Sequence, residues 1–292
     1  MRRMVIVIAA MAVGVVVAQG APRTRPASQP ANVKDYVFKK TEQATLKLHV
    51  YSPTDLKRGD KRPAIVFFFG GGWKHGSANQ FRPQAAYLSG RGMVAATSDY
   101  RVLKRHNVLP DKCVEDAKSA VRWMRQNAAK LGIDPDRIVA AGGSAGAHLA
   151  VCTALTTGLE APGEDHNISS KPNALILFNP VLDLSSAKGI KRVGGNETLA
   201  LQISPQQHLK AGAPPTLLLF GTVDRLFVQA DPFIKRSQEL GNRIELYTAE
   251  GAQHGFFNRS PWYERTLARA DEFLVSIGYL PGKPTTRPSR RN

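Results

Sequence analysis

The chain has 292 residues, 42% of them hydrophobic, two cysteines and a formal net charge of +17, which suits one large α/β domain or two small ones. Eight of its Lys and Arg residues fall in the two ends (Arg2, Arg3, Arg23, Arg25, Lys283, Arg287, Arg290, Arg291), so the middle keeps a charge of +9. That dispersed charge favours loose attraction to acidic polymers, but no nucleic-acid motif accompanies it and no specific nucleic-acid partner is expected.

In chain order, residues 1–18 (MRRMVIVIAAMAVGVVVA) read as a signal peptide. Arg2 and Arg3 open it, Met4 to Val17 is an uncharged apolar run, and Val16 and Ala18 suit cleavage after Ala18. The run is too short to favour a membrane span, although an uncleaved anchor is the competing reading. A secreted or periplasmic protein with no span after processing is expected. Residues 19–31, rich in Pro, Ser and Arg, read as a disordered linker, and 281–292 as a basic disordered tail. That leaves 32–280 as the folded domain.

Asp35 to Lys40 and Thr45 to Tyr51 alternate in character and predict a leading hairpin. Apolar strands are then expected at Ala64 to Phe69, Met93 to Ser98, Arg137 to Ala141, Ala174 to Phe178, Thr216 to Phe220 and Arg243 to Thr248. Helices are expected at Gln80 to Gly90, Pro110 to Leu131, Ala145 to Thr157 and Tyr263 to Ile277. Fully apolar strands alternating with helices predict a mostly parallel α/β sheet of about eight strands, with helices on both faces and an antiparallel start. Only Thr157 to Pro172 and Asp183 to Pro215 leave room for extra structure, the second as a small helical lid. Only the linker precedes the hairpin, so no N-terminal cap is expected. Cys113 and Cys152 sit in helical stretches and carry no zinc spacing. Export would permit a disulfide, but isolated helical cysteines usually act as small buried hydrophobes.

Two glycine clusters carry the chemistry. FFFGGGW (Phe67 to Trp73) strips the backbone bare just past a strand, so something must approach the main chain there: a phosphate, an oxyanion or another strand. The phosphate-loop spacings are absent, although Lys74 follows. GGSAG (Gly142 to Gly146) is G-x-S-x-G between the strand RIVAA and the helix AGAHLAV. In that context Ser144 sits on a strained turn with its hydroxyl projected, and Gly142 and Gly146 let strand and helix pass closely. A serine needs a base. Of seven histidines, His254 in AEGAQHGFFN follows the last strand at the sheet's carboxyl end, whereas His148 lies one helical turn past Ser144. The orienting acid is Asp224 in GTVDRLF, which gives the chain order Ser, Asp, His. Asp183 in NPVLDL is the rival, with a helix cap or loop bond as its other use.

These pieces resemble the α/β-hydrolases, on the branch with an HGGGW-type oxyanion loop that includes the hormone-sensitive-lipase-like esterases. The block DAKSAVRWMRQNAAKLGIDPDRIVAAGGSAGAHLA looks most like secreted acetylxylan and feruloyl esterases. The likeness spans about Val37 to Ile277. It implies a serine carboxylesterase with oxyanion donors at the amides of Gly71, Gly72 and Ala145, and structural roles for Asp99 and Arg101 in SDYR. It implies no metal and no cofactor. The family's leading His is Phe69 here, so packing or other donors must hold the loop; a family His-Gly is here Phe220-Gly221. The substrate expected is a short acyl ester, such as acetyl groups on xylan, with Trp73 beside the oxyanion loop read as a substrate contact that stacks on a sugar, a packing wall being its other use. An exported peptidase or amidase, or a catalytically dead binding protein, are the alternatives.

Overall fold

The structure is a computed structural model that describes residues 32–282. The signal-peptide and linker readings, and the tail from residue 283 on, lie outside the described residues. Strands β1 (Asn32–Lys40) and β2 (Thr45–Ser52) form the leading hairpin. Then follow β3 (Arg62–Phe68), α1 (Arg82–Gly90), β4 (Val94–Ser98), α2 (Leu103–His106), α3 (Pro110–Gln126) and α4 (Ala128–Leu131). The middle of the chain gives β5 (Ile133–Gly143), α5 (Ala145–Leu155) and β6 (Ala174–Phe178). After it come α6 (Ala187–Arg192), α7 (Glu197–Gln202), β7 (Thr216–Gly221), α8 (Ala230–Glu239), β8 (Ile244–Ala249) and α9 (Trp262–Ser276).

The eight strands form one sheet in the order β1-β2-β4-β3-β5-β6-β7-β8. β1 with β2 and β2 with β4 are antiparallel; all later pairs are parallel. Central strands buried on both sides explain the unbroken apolar runs: β4 and β6 bury every residue. One face packs against α3, α5 and α8 through residues such as Val114, Leu149 and Phe233. The other packs against α1 and α9 through Ala85, Leu88, Phe273 and Leu274. Among the described residues no helix is long and apolar enough to cross a membrane. Cys113 and Cys152 are both free and buried.

Three expectations need correction. The helix expected over Pro110 to Leu131 breaks at Asn127, whose backbone leaves the helical range and whose side-chain amide donates to the Trp123 carbonyl. β5 starts four residues before Arg137, because Arg62 pairs with Ile133 ahead of an irregularity in the ladder. The segment after Asp224, outside the two stretches read as leaving room for extra structure, holds α8; Ala230, Phe233 and Ser237 face the core and Pro232 sits in the first turn, where its missing N–H costs nothing. The stretch read as room for a lid supplies α6, α7 and a 3-10 turn at Pro205–His208.

Candidate active site

Every loop that carries a candidate residue leaves the carboxyl end of a parallel strand. Gly70 to Gly72 follow β3, Ser144 follows β5, Asn179 follows β6, Asp224 follows β7 and His254 follows β8. This is where an open α/β sheet places its ligands.

Ser144 joins β5 directly to α5 with φ 54° and ψ −116°. A left-handed φ on a serine costs about 1–3 kcal/mol and persists only where its surroundings enforce it. Here the Ser144 N–H is anchored to the Phe178 carbonyl at 2.8 Å. A Cβ on Gly146 would lie 2.0 Å from the Phe68 carbonyl oxygen, and one on Gly142 2.5 Å from the Gly146 backbone. The turn can be this tight only because both are glycine.

Ser144 Oγ lies 2.8 Å from His254 Nε2, and His254 Nδ1 lies 2.6 Å from Asp224 Oδ2. The Asp224 side chain is fully buried, and its second oxygen accepts the Leu226 N–H at 2.9 Å. His254 keeps 37% of its side chain exposed, so the relay runs from a buried anion to an open cleft. Asp183, the rival acid, instead accepts from Ser185 N–H and Oγ at 2.8 Å each and from Ser204 Oγ. His148 is buried beneath the turn, and its Nε2–H donates to the Ile203 carbonyl at 2.7 Å.

Gly71 (φ 126°) and Gly72 (φ 63°) both occupy backbone conformations that favour glycine. A Cβ on Gly71 would lie 2.0 Å from the His75 carbonyl oxygen. Among the described residues no backbone carbonyl accepts their N–H groups, and Ala145, first in α5, carries one of that helix's unpaired amides.

The place of the family histidine is taken by contacts that sequence reasoning did not name. Tyr100 donates its hydroxyl to the Phe69 carbonyl at 2.7 Å, and its ring stacks on Phe69 at 4.0 Å. Burial pushes the Tyr100 phenol well above its usual range, so it stays a neutral donor. Gln80 accepts the Gly70 N–H at 2.6 Å and donates to Asn258 Oδ1 at 3.2 Å, tying the glycine loop to the segment after His254. Asn179 likewise accepts the Gly255 N–H at 3.2 Å. Arg101 braces the Tyr100 turn through a bidentate bond to Asp116, with both side chains buried, and Asp99 accepts the Lys47 N–H.

Trp73 is not where the sequence reading put it. It is 2% exposed, meets the His148 ring edge-on at 4.9 Å, and has the Arg192 guanidinium over its face at 5.9 Å. It walls the loop from below and is closed to a sugar. The cleft above Ser144, about 620 Å³, is instead lined by the glycine loop, Phe257 and a set of cations: Lys74, Lys188, Lys191, Arg192 and Arg225. These come from three separate stretches and carry no motif.

The family model BD-FAE matches residues 48–240. The carboxylesterase NlhH of Mycobacterium tuberculosis is 34% identical over 230 residues, covering 72% of this chain and 71% of its own. The Arabidopsis thaliana protein named "Probable isoprenylcysteine alpha-carbonyl methylesterase ICMEL1" is 30% identical over 240 residues, covering 73% of this chain. The chain spans about half the length of the curated relatives it matches first, 49% of that one. Among solved structures, the propionate-bound thermophilic esterase Est2 of the planctomycete Thermogutta terrifontis superposes with a TM-score of 0.81 at 51% identity, over 88% of this chain and 98% of its own.

Proposed function

The chain belongs to the BD-FAE family of the α/β-hydrolase carboxylesterases, and from that premise we propose that it hydrolyses short acyl esters by a Ser144–His254–Asp224 acyl-enzyme mechanism. The observation that carries the reading is the unbroken relay from Ser144 Oγ through His254 to buried Asp224, at 2.8 and 2.6 Å.

His254 Nε2 takes the Ser144 proton as Oγ attacks the ester carbonyl. Asp224 holds Nδ1–H and stabilises the imidazolium. The amides of Gly71, Gly72 and Ala145 meet the negative charge that develops on the carbonyl oxygen, usually the largest single contribution to such catalysis. His254 returns its proton to the departing alcohol, then activates the water that frees Ser144.

Acetyl esters on a plant polysaccharide such as xylan are the proposed natural substrate, met outside the cell after removal of residues 1–18. Two observations support a short acyl group on a bulky alcohol. The serine lies in a cleft with exposed residues at its rim, Lys74, His75 and Asn258 among them, and the similar Est2 holds propionate. The test is acetate release from acetylated xylan beside p-nitrophenyl acetate, with Ser144→Ala as control. Release from both, abolished by the substitution, is expected. Aryl-ester turnover alone removes the xylan assignment, and no turnover of either by folded protein removes the esterase.

A further inference from the structure

Five cations converge on the mouth of the Ser144 cleft. Lys74 comes from the loop after β3, Lys188, Lys191 and Arg192 from α6, and Arg225 from the residue after Asp224. A side lobe of about 200 Å³ beside Ser144 shares Lys188, Arg192 and Arg225. The carboxylate lining either lobe is Asp183, whose oxygens are already taken by Ser185 and Ser204. The buried arginines on this molecule include ones matched to carboxylates, as in Arg101 with Asp116 and Arg122 with Glu160. Among the described residues none of the five cleft cations has an ion-pair partner. The Arg192 guanidinium is crowded as well: burial, and then the Arg225 charge, hold it below its usual range. Its Nη1 lies 3.7 Å from where a Gly72 Cβ would stand, beside the oxyanion loop.

Five cations against one lining carboxylate, Asp183, leave the cleft net positive, which raises the local potential and draws anions into it. The acyl group proposed above is short, so it is used up within a few atoms of Ser144. Whatever reaches the exposed ends of Lys74, Lys188, Lys191 and Arg225 is therefore the alcohol part. We propose that this esterase selects esters whose alcohol portion carries a carboxylate, with the cleft cations as its specificity determinants. On a polysaccharide this means acyl groups on chains bearing uronate residues. The inference rests on the acyl-transfer reading of the site.

The test compares 4-acetoxyphenylacetate with its methyl ester. The two share a leaving phenol and differ in one charge held away from the ring. The expected result is a kcat/KM about ten-fold higher for the anion at low salt. That preference should collapse towards unity in about 0.5 M salt, where screening acts within roughly 5 Å, and in the variant carrying Lys188→Gln, Lys191→Gln and Arg225→Gln. Equal turnover of both esters, or a preference that survives removal of the three charges, overturns the inference and leaves the esterase reading standing. If Arg192 alone sets the preference, the triple variant keeps it, and the multi-cation assignment is overturned. Turnover of neither ester overturns both readings.

Discussion

At the scale of single residues, the proposed mechanism separates groups that react from groups that hold. Asp224 is fully buried and hydrogen-bonded at both oxygens, to His254 Nδ1 and to the Leu226 N–H. Asp224→Asn keeps the shape but offers Nδ1 an amide in place of an anion, so the imidazole loses its preferred tautomer and its charge stabilisation. A fall of about 10⁴-fold in kcat on p-nitrophenyl acetate, with KM little changed, is expected. Tyr100 touches no reacting atom. Tyr100→Phe keeps the stack on Phe69 but leaves a buried carbonyl without its donor, a cost of about 1–3 kcal/mol. The glycine loop begins at that carbonyl. Loss of thermal stability should therefore come with roughly a ten-fold fall in kcat, larger than the change in KM, if the loop's amides act on the transition state as proposed. A variant that loses stability but keeps its kcat would make Tyr100 a packing residue only.

At the scale of elements, the decisive contact is α5 against the end of β3. Gly146→Ala would drive a methyl to 2.0 Å from the Phe68 carbonyl oxygen and 2.4 Å from that of Phe69, both fixed backbone. Helix propensity alone would gain about 1 kcal/mol from the change, and overpacking must exceed it. A net loss of about 2 kcal/mol or more in urea unfolding is expected, and an unchanged midpoint would show that α5 can shift. The β5–Ser144–α5 unit was legible in the sequence because strand, turn and helix are contiguous, whereas its contact with the end of β3 was not. The relay was legible for a similar reason: Ser144, Asp224 and His254 each follow a strand, and strand ends meet on one edge of the sheet. What failed to show depended on distance along the chain. Tyr100 reaches Phe69 across 31 residues, and Gln80 reaches Asn258 across 178; neither spacing leaves a pattern. α8 was missed although Ala230 and Phe233 have helical spacing, because its apolar stripe is short and lies among charges. Trp73 was misplaced because an aromatic after three glycines reads equally well as a platform or as a wall, and only the course of the loop decides.

At the scale of the whole molecule, the site hangs on a buried joint between the sheet and the insertion that carries α6 and α7. His148 in α5 is fully buried, donates to the Ile203 carbonyl just past α7, and lies 3.5 Å from Cys152 Sγ. Burial pushes its imidazole from 6.5 down to about 4. The unfolded chain binds a proton at this residue near pH 6.5, while the folded chain refuses it until about pH 4. Between those values the unfolded state holds more protons, so stability falls as pH drops through the window. The loss is complete at about 3 kcal/mol near the lower end and absent above 6.5. Glu115, Glu160 and Glu245 enter this window only at its lower end. Burial raises each of them, but bonds to Lys39 and Lys112, to Lys118 and Arg122, and to Arg243 and Arg269 outweigh it and hold them low. Their contribution is whole well above the ordinary glutamate value of 4.5 and is lost as pH falls through it. Urea unfolding at pH 7, near 5.5 and near 4 should therefore show a decline that begins with the histidine. His148→Gln keeps an N–H for the Ile203 carbonyl and cannot titrate. It should flatten the decline between 6.5 and 4 by most of that amount, whatever it costs at pH 7. An equal slope in variant and parent would move the acid sensitivity away from this joint.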